Sequence, residues 1–509
     1  MRSKIARRSG VLLHPSSFPG PWGIGDLGTE AYAFIDFLKD THQQIWQVLP
    51  LGPTGEDGSP YSSFSASAGN PLFISVEALG EEGLKAPAPP AKVPGSGPVD
   101  QRKVRAAKFP ALMQVWQDFR KTGVLQAEFE RFCAGVADWL DDYALFMALH
   151  ETYPGKTWNN WPEELASRQP GALERARQDL GDLVGFHKFT QFAFYRQWSR
   201  LKDYAHDRGI RVVGDIPFYM AFHSADVWAN PRNFALDPKT REPRLMADVP
   251  PDYFSKTGQL WGNPVYDWKH LEDEGFDWWV ARFKRLGELV DVVRIDHFRG
   301  FQAFWQVKQG EKTAINGEWA LCPGDHFFHA LEHELGHLPV WAEDLGLVTP
   351  EVEKLRDDFD FPGMKVLQFA FDEKGAENPY LPFNFPENCV CYTGTHDNDT
   401  TVGWWKSLTA AQKKQVQTYI GHDGPLHWSM IRLGMSSIAD SFVAPLQDVL
   451  GLGSEARMNV PGRAEGNWSW RYSSEALTPD LKEHLKSITA TFGRSPRFTK
   501  NNKPGAARG

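Results

Sequence analysis

Two residue types with a clear chemical use stand close together near position 295. Residues 292–297 read Val-Val-Arg-Ile-Asp-His, and the two-residue period of a β-strand places Arg294 and Asp296 on one face. An arginine beside a carboxylate keeps that carboxylate ionised and oriented, as a nucleophile requires. A structural ion pair at a strand end would have the same spacing, so this pair alone does not decide between the two.

A glutamate in a comparable position could supply the complementary group. Residues 340–346 read Val-Trp-Ala-Glu-Asp-Leu-Gly, and Trp341 and Glu343 share a face if this stretch is a strand. Apolar surroundings raise the pKa of a carboxyl group, which would suit Glu343 to act as a general acid at neutral pH. Asp344 would point the other way, and we expect it to cap a turn or bond within a loop.

More acidic residues end other apolar stretches. Asp215 ends one stretch, His396 and Asp397 end another, and Asp372 follows a third, where a loop cap is the favoured alternative to a site residue. Two carboxylates, one beside arginine and one beside tryptophan, fit the arrangement of glycoside chemistry, in which retaining enzymes hold them about 5–5.5 Å apart.

Eight short apolar stretches that alternate with helical patterns must position these residues. They span 10–14, 45–51, 211–217, 292–297, 339–343, 365–371, 390–396 and 442–446. Alternating strands and helices predict a parallel sheet, and eight strands predict closure as a (β/α)8 TIM barrel of the α/β class. In such barrels the site lies at the C-terminal ends of the strands.

Local signals predict several of the helices. Residues 29–41 carry an apolar face with Thr29 as the expected N-cap, and Thr349-Pro350 reads as an N-cap followed by an N1 proline. Thr409 and Gln412 fit a capping box. Longer helical patterns cover 104–119, 128–150 and 187–205.

We assign the barrel to residues 1–70 and 205–490. The uneven strand spacing predicts two insertions in it. About 160 residues separate the second and third strands, which predicts an inserted, mostly helical subdomain over 71–204. A second insertion, 221–289, follows strand 3. Its loop 252–268 has the composition of an aromatic flap, with Tyr253, Phe254, Trp261 and Tyr266 beside glycines. Residues 494–509 contain basic residues and no acid, and we expect a flexible tail there.

Composition narrows the classes of function. The net charge of −9 argues against nucleic acid or an anionic membrane as the main partner, and no apolar run has the length of a membrane span. Four cysteines in 509 residues exclude a disulfide scaffold. No zinc spacing, P-loop or dinucleotide turn is visible, so we expect no metal and no cofactor, and the cytoplasm is the expected location.

The ordered motifs also resemble a known family. Gly-Asp-Ile-Pro at 214–217, Arg-Ile-Asp-His at 294–297, Ala-Glu-Asp-Leu-Gly at 342–346 and Gly-Thr-His-Asp-Asn at 394–398 look like those of the α-amylase clan. Leu-His-Pro-Ser-Ser at 13–17, Ser-Pro-Tyr-Ser at 59–62 and Gly-Asn-Trp-Ser-Trp-Arg at 466–471 narrow the resemblance to the 4-α-glucanotransferase family (amylomaltase, disproportionating enzyme). It runs from about residue 10 to 490.

The resemblance implies transfer of α-1,4-glucan segments to the 4-hydroxyl of another glucan or of glucose by retaining double displacement, with cycloamylose formation left open. Asp296 would be the nucleophile, Glu343 the general acid and base, and Asp397 the third carboxylate. The expected substrate-binding residues are Arg294, His396, Asp215, Tyr61, Ser59, Trp261, Asp372 and Asn467. The expected partners are maltooligosaccharides, amylose or starch-type glucans. An α-glucan hydrolase of the same clan and a non-catalytic glucan-binding protein are the alternatives.

Overall fold

The structure is a computed structural model that describes residues 7–91, 95, 97–250, 257–372, 374–421, 424–463 and 465–496. The strands of this part of the chain are β1 (Arg8–Leu12), β2 (Ile45–Gln47), β3 (Arg211–Ile216), β4 (Leu245–Val249), β5 (Gln259–Pro264), β6 (Val292–Ile295), β7 (Ala303–Lys308), β8 (Gly317–Leu321), β9 (Val340–Ala342), β10 (Gly363–Val366), β11 (Cys389–Tyr392) and β12 (Ser441–Pro445).

Eight of these strands close into a parallel barrel in the order β1-β12-β11-β10-β9-β6-β3-β2. Each contains or overlaps one of the eight predicted stretches, so the (β/α)8 barrel is confirmed. The sixth differs most from its prediction, because β10 ends at Val366 and a 3-10 turn, Leu367–Phe369, follows where the strand was expected to continue.

Inward-facing side chains fill the barrel and become polar towards its C-terminal end. The apolar interior includes Leu12, Ile45, Val213, Val292, Trp341, Met364, Val390, Tyr392 and Val443. In the strand register, Asp215 lies beside Arg294, and Arg294 lies beside Trp341. Because side chains alternate along a strand, Asp296 and Glu343 follow on the same inward side, at the mouth of the barrel.

The α-helices surround the barrel and build the insertion between β2 and β3. Their bounds are α1 (Thr29–Asp40), α2 (Val76–Glu81), α3 (Gln101–Thr122), α4 (Gln126–Gly135), α5 (Ala137–Thr152), α6 (Glu163–Ala166), α7 (Pro170–Asp179), α8 (Gly181–His206), α9 (Ala225–Ala229), α10 (Trp268–Asp273), α11 (Asp277–Leu289), α12 (Gly324–Leu335), α13 (Pro350–Asp358), α14 (Thr401–Ser407), α15 (Ala410–Ile420), α16 (Leu426–Ser436), α17 (Leu446–Val449) and α18 (Pro479–Thr491). None of these helices is both long and apolar enough to cross a membrane.

Some of the predicted helix features are confirmed and others are wrong. The capping box of Thr409 and Gln412 is present, and Thr349 precedes Pro350 as the N-cap of α13. Thr29 was wrong as an N-cap, because it is the first residue of α1 and Gly28 is the cap. The single helix expected over 128–150 is interrupted at Val136, whose φ of −132° departs from helical geometry.

Helices α2–α8 form the segment between β2 and β3, and a buried ion pair joins it to the barrel. The Lys108 ammonium on α3 lies 3.1 Å from Asp26 and donates to the Leu72 carbonyl at 2.8 Å. Both charged side chains are buried, so each compensates the desolvation of the other. The domain limits at 71 and 204 stay a prediction.

The segment after β3 contains α9–α11 and also two strands that sequence reasoning missed. Strands β4 and β5 join β7 and β8 in an antiparallel sheet with the order β5-β4-β7-β8. The sheet therefore combines two chain segments that lie on either side of β6. Their pairing satisfies backbone groups over a long sequence separation, which local apolar patterns do not reveal.

The predicted tail starts too early. Arg494 is fully buried and donates to the carbonyls of Met435, Arg8, Ser437 and Ala439, which fixes the chain end against β1 and the segment before β12. Residues 497–509, the rest of the predicted tail, lie outside the described residues.

Candidate active site

A buried arginine organises the carboxylates at the barrel mouth. Arg294 Nη1 donates to Asp215 Oδ2 at 2.6 Å and to Asp296 Oδ1 at 3.0 Å. Burial alone would lower the pKa of Arg294, but the carboxylates of Asp215 and Asp296 raise it well above the ordinary value. The arginine therefore stays a cation, and it orients Asp296, whose side chain is 30% exposed at the mouth.

Glu343 lies beside Asp296, held by backbone amides. The amide of His297 donates to Glu343 Oε2 at 2.7 Å, and the amide of Leu345 donates to Oε1 at 3.0 Å. Burial raises the pKa of Glu343, Arg294 opposes that shift, and Asp296 adds to it. The direction is the one expected from the sequence, and it favours a protonated glutamic acid next to a carboxylate at neutral pH.

Asp397 is fixed by a loop that sequence reasoning did not connect to it. Asn459 Nδ2 donates to Asp397 Oδ1 at 2.6 Å, and Arg457 donates to the Asp397 backbone carbonyl at 2.6 Å. His396 Nε2 lies 3.4 Å from Asp397 Oδ2. Nearly half of the Asp397 side chain is exposed, so this carboxylate can receive hydroxyl groups from the mouth.

An aromatic cluster covers the same side of the mouth. Tyr61 stacks on His396 with ring centroids 5.2 Å apart, and Trp468 packs 5.9 Å from both rings. The Tyr61 hydroxyl donates to Asp215 Oδ2 at 2.8 Å. The two predicted residues are thus brought to the carboxylates, and Trp468, part of the quoted 466–471 motif, was missed as a site residue.

Trp261 lies on the opposite side of the mouth, against His297, the residue after Asp296. Its ring is 5.4 Å from the ring of His297 and 6.0 Å from that of Tyr219, and it is 41% exposed. The Trp261 amide donates to Asp248 Oδ1 at 2.8 Å, at an irregularity where β4 meets β5. Gly262, with φ of 73°, turns the backbone directly after Trp261.

The other predicted flap residues divide into two groups. Tyr253 and Phe254 lie outside the described residues. Tyr266 is buried, and its hydroxyl donates to the Phe218 carbonyl at 2.7 Å, so it packs in the core and was wrong as a flap residue. Trp261 is the described aromatic residue of this loop that faces the mouth.

Three predicted binding residues have contacts of other kinds. Asp372 is exposed and accepts from the Lys374 amide and from Asn378, as a loop cap does. The Asn467 side chain accepts from the Val460 amide and donates to the Arg463 carbonyl, so it holds its own loop together. The next residue, Trp468, packs against Tyr61. Ser59 lies in the turn before Tyr61, and its backbone amide donates to Asp57 Oδ1. For these residues direct contact with substrate stays a prediction.

Asp344 behaves as expected. Its carboxylate accepts from the Met364 amide at 2.7 Å and pairs with Arg356, away from the mouth. In the described ranges, no cluster of three or more histidine, cysteine or acidic side chains is arranged to hold a metal ion.

The comparisons with known proteins agree with one another. A family model described as 4-alpha-glucanotransferase matches residues 13–478. A 4-alpha-glucanotransferase of Synechocystis sp. is 53% identical over 500 residues, with 96% of this chain and 98% of that protein covered. One of Thermus thermophilus is 48% identical over 505 residues, with 96% and 100% covered.

A solved structure shares the whole architecture. The amylomaltase from Streptococcus agalactiae in complex with acarbose superposes with a TM-score of 0.93 at 37% identity, over 96% of this chain and 100% of that one.

Asn459 provides a test of the loop that holds Asp397. We expect Asn459→Ala to lower kcat/KM with maltotriose about 10- to 100-fold, because a hydrogen bond to a charged group contributes about 1.5–3 kcal/mol. Asn316→Ala is the matched control, since the Asn316 amide bonds to a surface carboxylate, Glu311. An unchanged kcat/KM for Asn459→Ala would contradict the role of this loop.

Proposed function

The chain belongs to the 4-alpha-glucanotransferase family, and we propose that it transfers α-1,4-glucan segments by a retaining double displacement at Asp296, Glu343 and Asp397. It is a transferase that acts on α-1,4-glucans. The observation that carries the mechanism is the juxtaposition of Asp296, which accepts a hydrogen bond from Arg294, and Glu343, whose pKa is raised by burial. The two roles require a carboxylate at one position and a carboxylic acid at the other, and the raised pKa of Glu343 fits the second role.

In the first step, an oxygen of Asp296 attacks the anomeric carbon of a donor glucan. The bond from that carbon to the 4-oxygen of the leaving segment breaks, and the Glu343 proton moves to the leaving oxygen. The products are a glycosyl ester on Asp296, a shortened glucan and the Glu343 carboxylate. The amides of His297 and Leu345 hold Glu343 in place for this transfer.

In the second step, an acceptor 4-hydroxyl gives its proton to Glu343, and its oxygen attacks the same anomeric carbon. The ester bond breaks and Asp296 leaves as a carboxylate, which Arg294 stabilises at 3.0 Å. Two displacements at one carbon retain its configuration. Maltooligosaccharides serve as donors, and another glucan or glucose serves as acceptor.

The donor sugar occupies the side of the mouth that carries Asp397. Asp397 accepts hydroxyl hydrogen bonds from the ring that reacts, and His396 and Tyr61 form its floor. The second carboxylate of the arginine pair, Asp215, is buried and holds the Tyr61 hydroxyl. Removal of the Tyr61 hydroxyl would therefore affect sugar binding by changing the position of the Tyr61 ring.

Trp261 covers the acceptor side. Water is present at about 55 M, and an acceptor sugar competes with it only when it is held in place, since oriented groups reach effective molarities of about 10⁵ M or more. An exposed indole next to His297 offers a flat apolar surface for a sugar ring and excludes water from Asp296.

Incubation with maltotriose tests the function directly. We expect glucose and a ladder of longer chains at a constant number of reducing ends, and Asp296→Ala should abolish the ladder while keeping the melting temperature. Asp325→Ala, which changes an exposed aspartate at the start of α12, is the control. Rising reducing ends would indicate a hydrolase, and a tenth or more of the activity left in Asp296→Ala would contradict its role as nucleophile.

The pH profile tests the role of Glu343. Bond cleavage needs Glu343 protonated, so activity falls as the pH rises through its raised pKa, and this forms the alkaline limb. Glu343→Gln should remove this limb and lower kcat about 10²- to 10⁴-fold. α-Glucosyl fluoride, whose leaving group needs no proton, should restore part of the first step. No restoration, or the same loss in the exposed control Glu377→Gln, would contradict the assignment.

Trp261→Ala tests how transfer competes with hydrolysis. We expect the ratio of transfer to hydrolysis to fall and the KM for acceptor sugars to rise, because water gains access when the indole is removed. Phe383→Ala, which removes an exposed aromatic ring outside this sheet, is the control. Equal losses of both activities would instead assign Trp261 a packing role.

A further inference from the structure

A second exposed tryptophan lies near the mouth and has no part in the site described so far. Trp319 on β8 is 40% exposed, Leu321 on the same strand is 77% exposed, and Leu347 in the loop after β9 is 63% exposed. We call these three residues the Trp319 platform. Exposed apolar groups of this size are common singly, but a cluster of them beside a binding site indicates an interaction surface.

Contacts with Arg299 and Trp305 hold Trp319 and Leu347 in place. The Arg299 guanidinium lies 3.9 Å from the centre of the Trp319 ring, and its Nη1 donates to the Leu347 carbonyl at 2.9 Å. Trp305 meets Trp319 edge-on at 5.3 Å, and its own indole donates to the Ala314 carbonyl. The Trp319 ring is therefore supported on one face and at an edge, so little side-chain entropy is lost when a ligand binds.

The platform is continuous with the catalytic loops on the acceptor side. Arg299 lies in the 3-10 turn Phe298–Phe301 that follows Asp296 and His297, and Leu347 lies within the loop 343–349 that starts at Glu343. The sheet order β5-β4-β7-β8 separates Trp261 from Trp319 by three strand spacings, or about 14 Å. That distance corresponds to a few sugar rings along a glucan.

The chemistry of the surface fits an uncharged polysaccharide. Trp319, Leu321 and Leu347 carry no charge, and the cation below them, Arg299, is buried. A sugar ring presents C–H groups on its flat faces, and these faces stack on exposed indoles. Tyr61, His396 and Asp397, which bind the donor, come from the other side of the barrel mouth, after β2 and β11.

We propose that the Trp319 platform binds the distal part of a long acceptor glucan, a few rings beyond the sugar whose 4-hydroxyl reacts. This inference rests on the proposed function, and it adds a preference for acceptor length. Glucose and maltose are shorter than the distance of about 14 Å between the strands of Trp261 and Trp319, so they bind without the platform. A long chain contacts Trp261 and Trp319 together, and the second contact slows its release.

Trp319→Ala tests the platform by comparing acceptors of different length. With maltotriose as the donor, we expect the KM for long linear maltooligosaccharides to rise about 2- to 10-fold, which is the range of one aromatic stacking contact. The KM for glucose should stay unchanged. Trp319→Phe should keep most of the long-chain binding, and Phe383→Ala, an exposed aromatic residue elsewhere, is the control. A KM increase for glucose as well, or none for long chains, overturns the proposal.

A binding measurement separates this inference from the function on which it rests. In Asp296→Ala, which makes no glycosyl ester, calorimetric titration with a long maltooligosaccharide should show weaker binding when Trp319→Ala is added, and binding of maltose should be equal. If Trp319→Ala fails to fold, Leu347→Asn and Leu321→Asn remove exposed parts of the platform without touching Arg299. Absence of a maltotriose ladder from the unchanged protein refutes the function, whereas equal calorimetric affinities refute the platform.

A second copy of the chain is the competing occupant. Sedimentation of the unchanged protein and of Trp319→Ala decides between the two. A dimer that Trp319→Ala converts to a monomer would make this surface an interface between copies and overturn the proposal, and identical sedimentation supports it.

Discussion

The cation of Arg294 is the charge on which the rest of the mouth depends. A buried guanidinium is stable when carboxylates compensate it, and Asp215 and Asp296 do so at 2.6 and 3.0 Å. The arginine in turn fixes the position of Asp296 through a hydrogen bond to its carboxylate. Burial raises the pKa of the neighbouring Glu343, and Arg294 opposes that shift without reversing it. The same cation therefore holds one carboxyl group directly and limits the pKa shift of the other.

The barrel register delivers these groups to one place, and the surrounding loops divide the mouth into two sides. The loops after β2 and β11, together with residues 457–468, place Tyr61, Asp397 and Trp468 on one side, where we propose that the donor binds. The sheet β5-β4-β7-β8 places Trp261 on the other side, where we propose that the acceptor binds. In this proposal the chemistry rests on rigid strand ends, whereas the recognition of sugar rings rests on segments added to the barrel.

The sequence predicted what depends on local alternation and missed what depends on distant pairing. Arg294, Asp296, Trp341 and Glu343 could be assigned because a strand fixes which side chains share a face. Asn459 could not be assigned, since it reaches Asp397 across a long loop and carries no pattern of its own. Tyr266 lies in a loop with the composition of a flap, but the structure shows that its side chain is buried. Strands β4 and β7 were missed for the same reason, because they pair with each other across β6, and β5 and β8 join the sheet as their neighbours along the chain.

The antiparallel sheet has a consequence for how this protein can be re-engineered or can diverge. Its two halves come from the chain before and after β6, the strand that Asp296 follows. Recombination therefore cannot exchange this sheet as one contiguous piece, since any graft spanning both halves would also replace β6. Each half is a hairpin, β4-β5 or β7-β8, and a new hairpin must still pair with the retained one through β4 and β7. The loops after β2 and β11, by contrast, each leave the barrel between two neighbouring elements and carry no strand of this sheet.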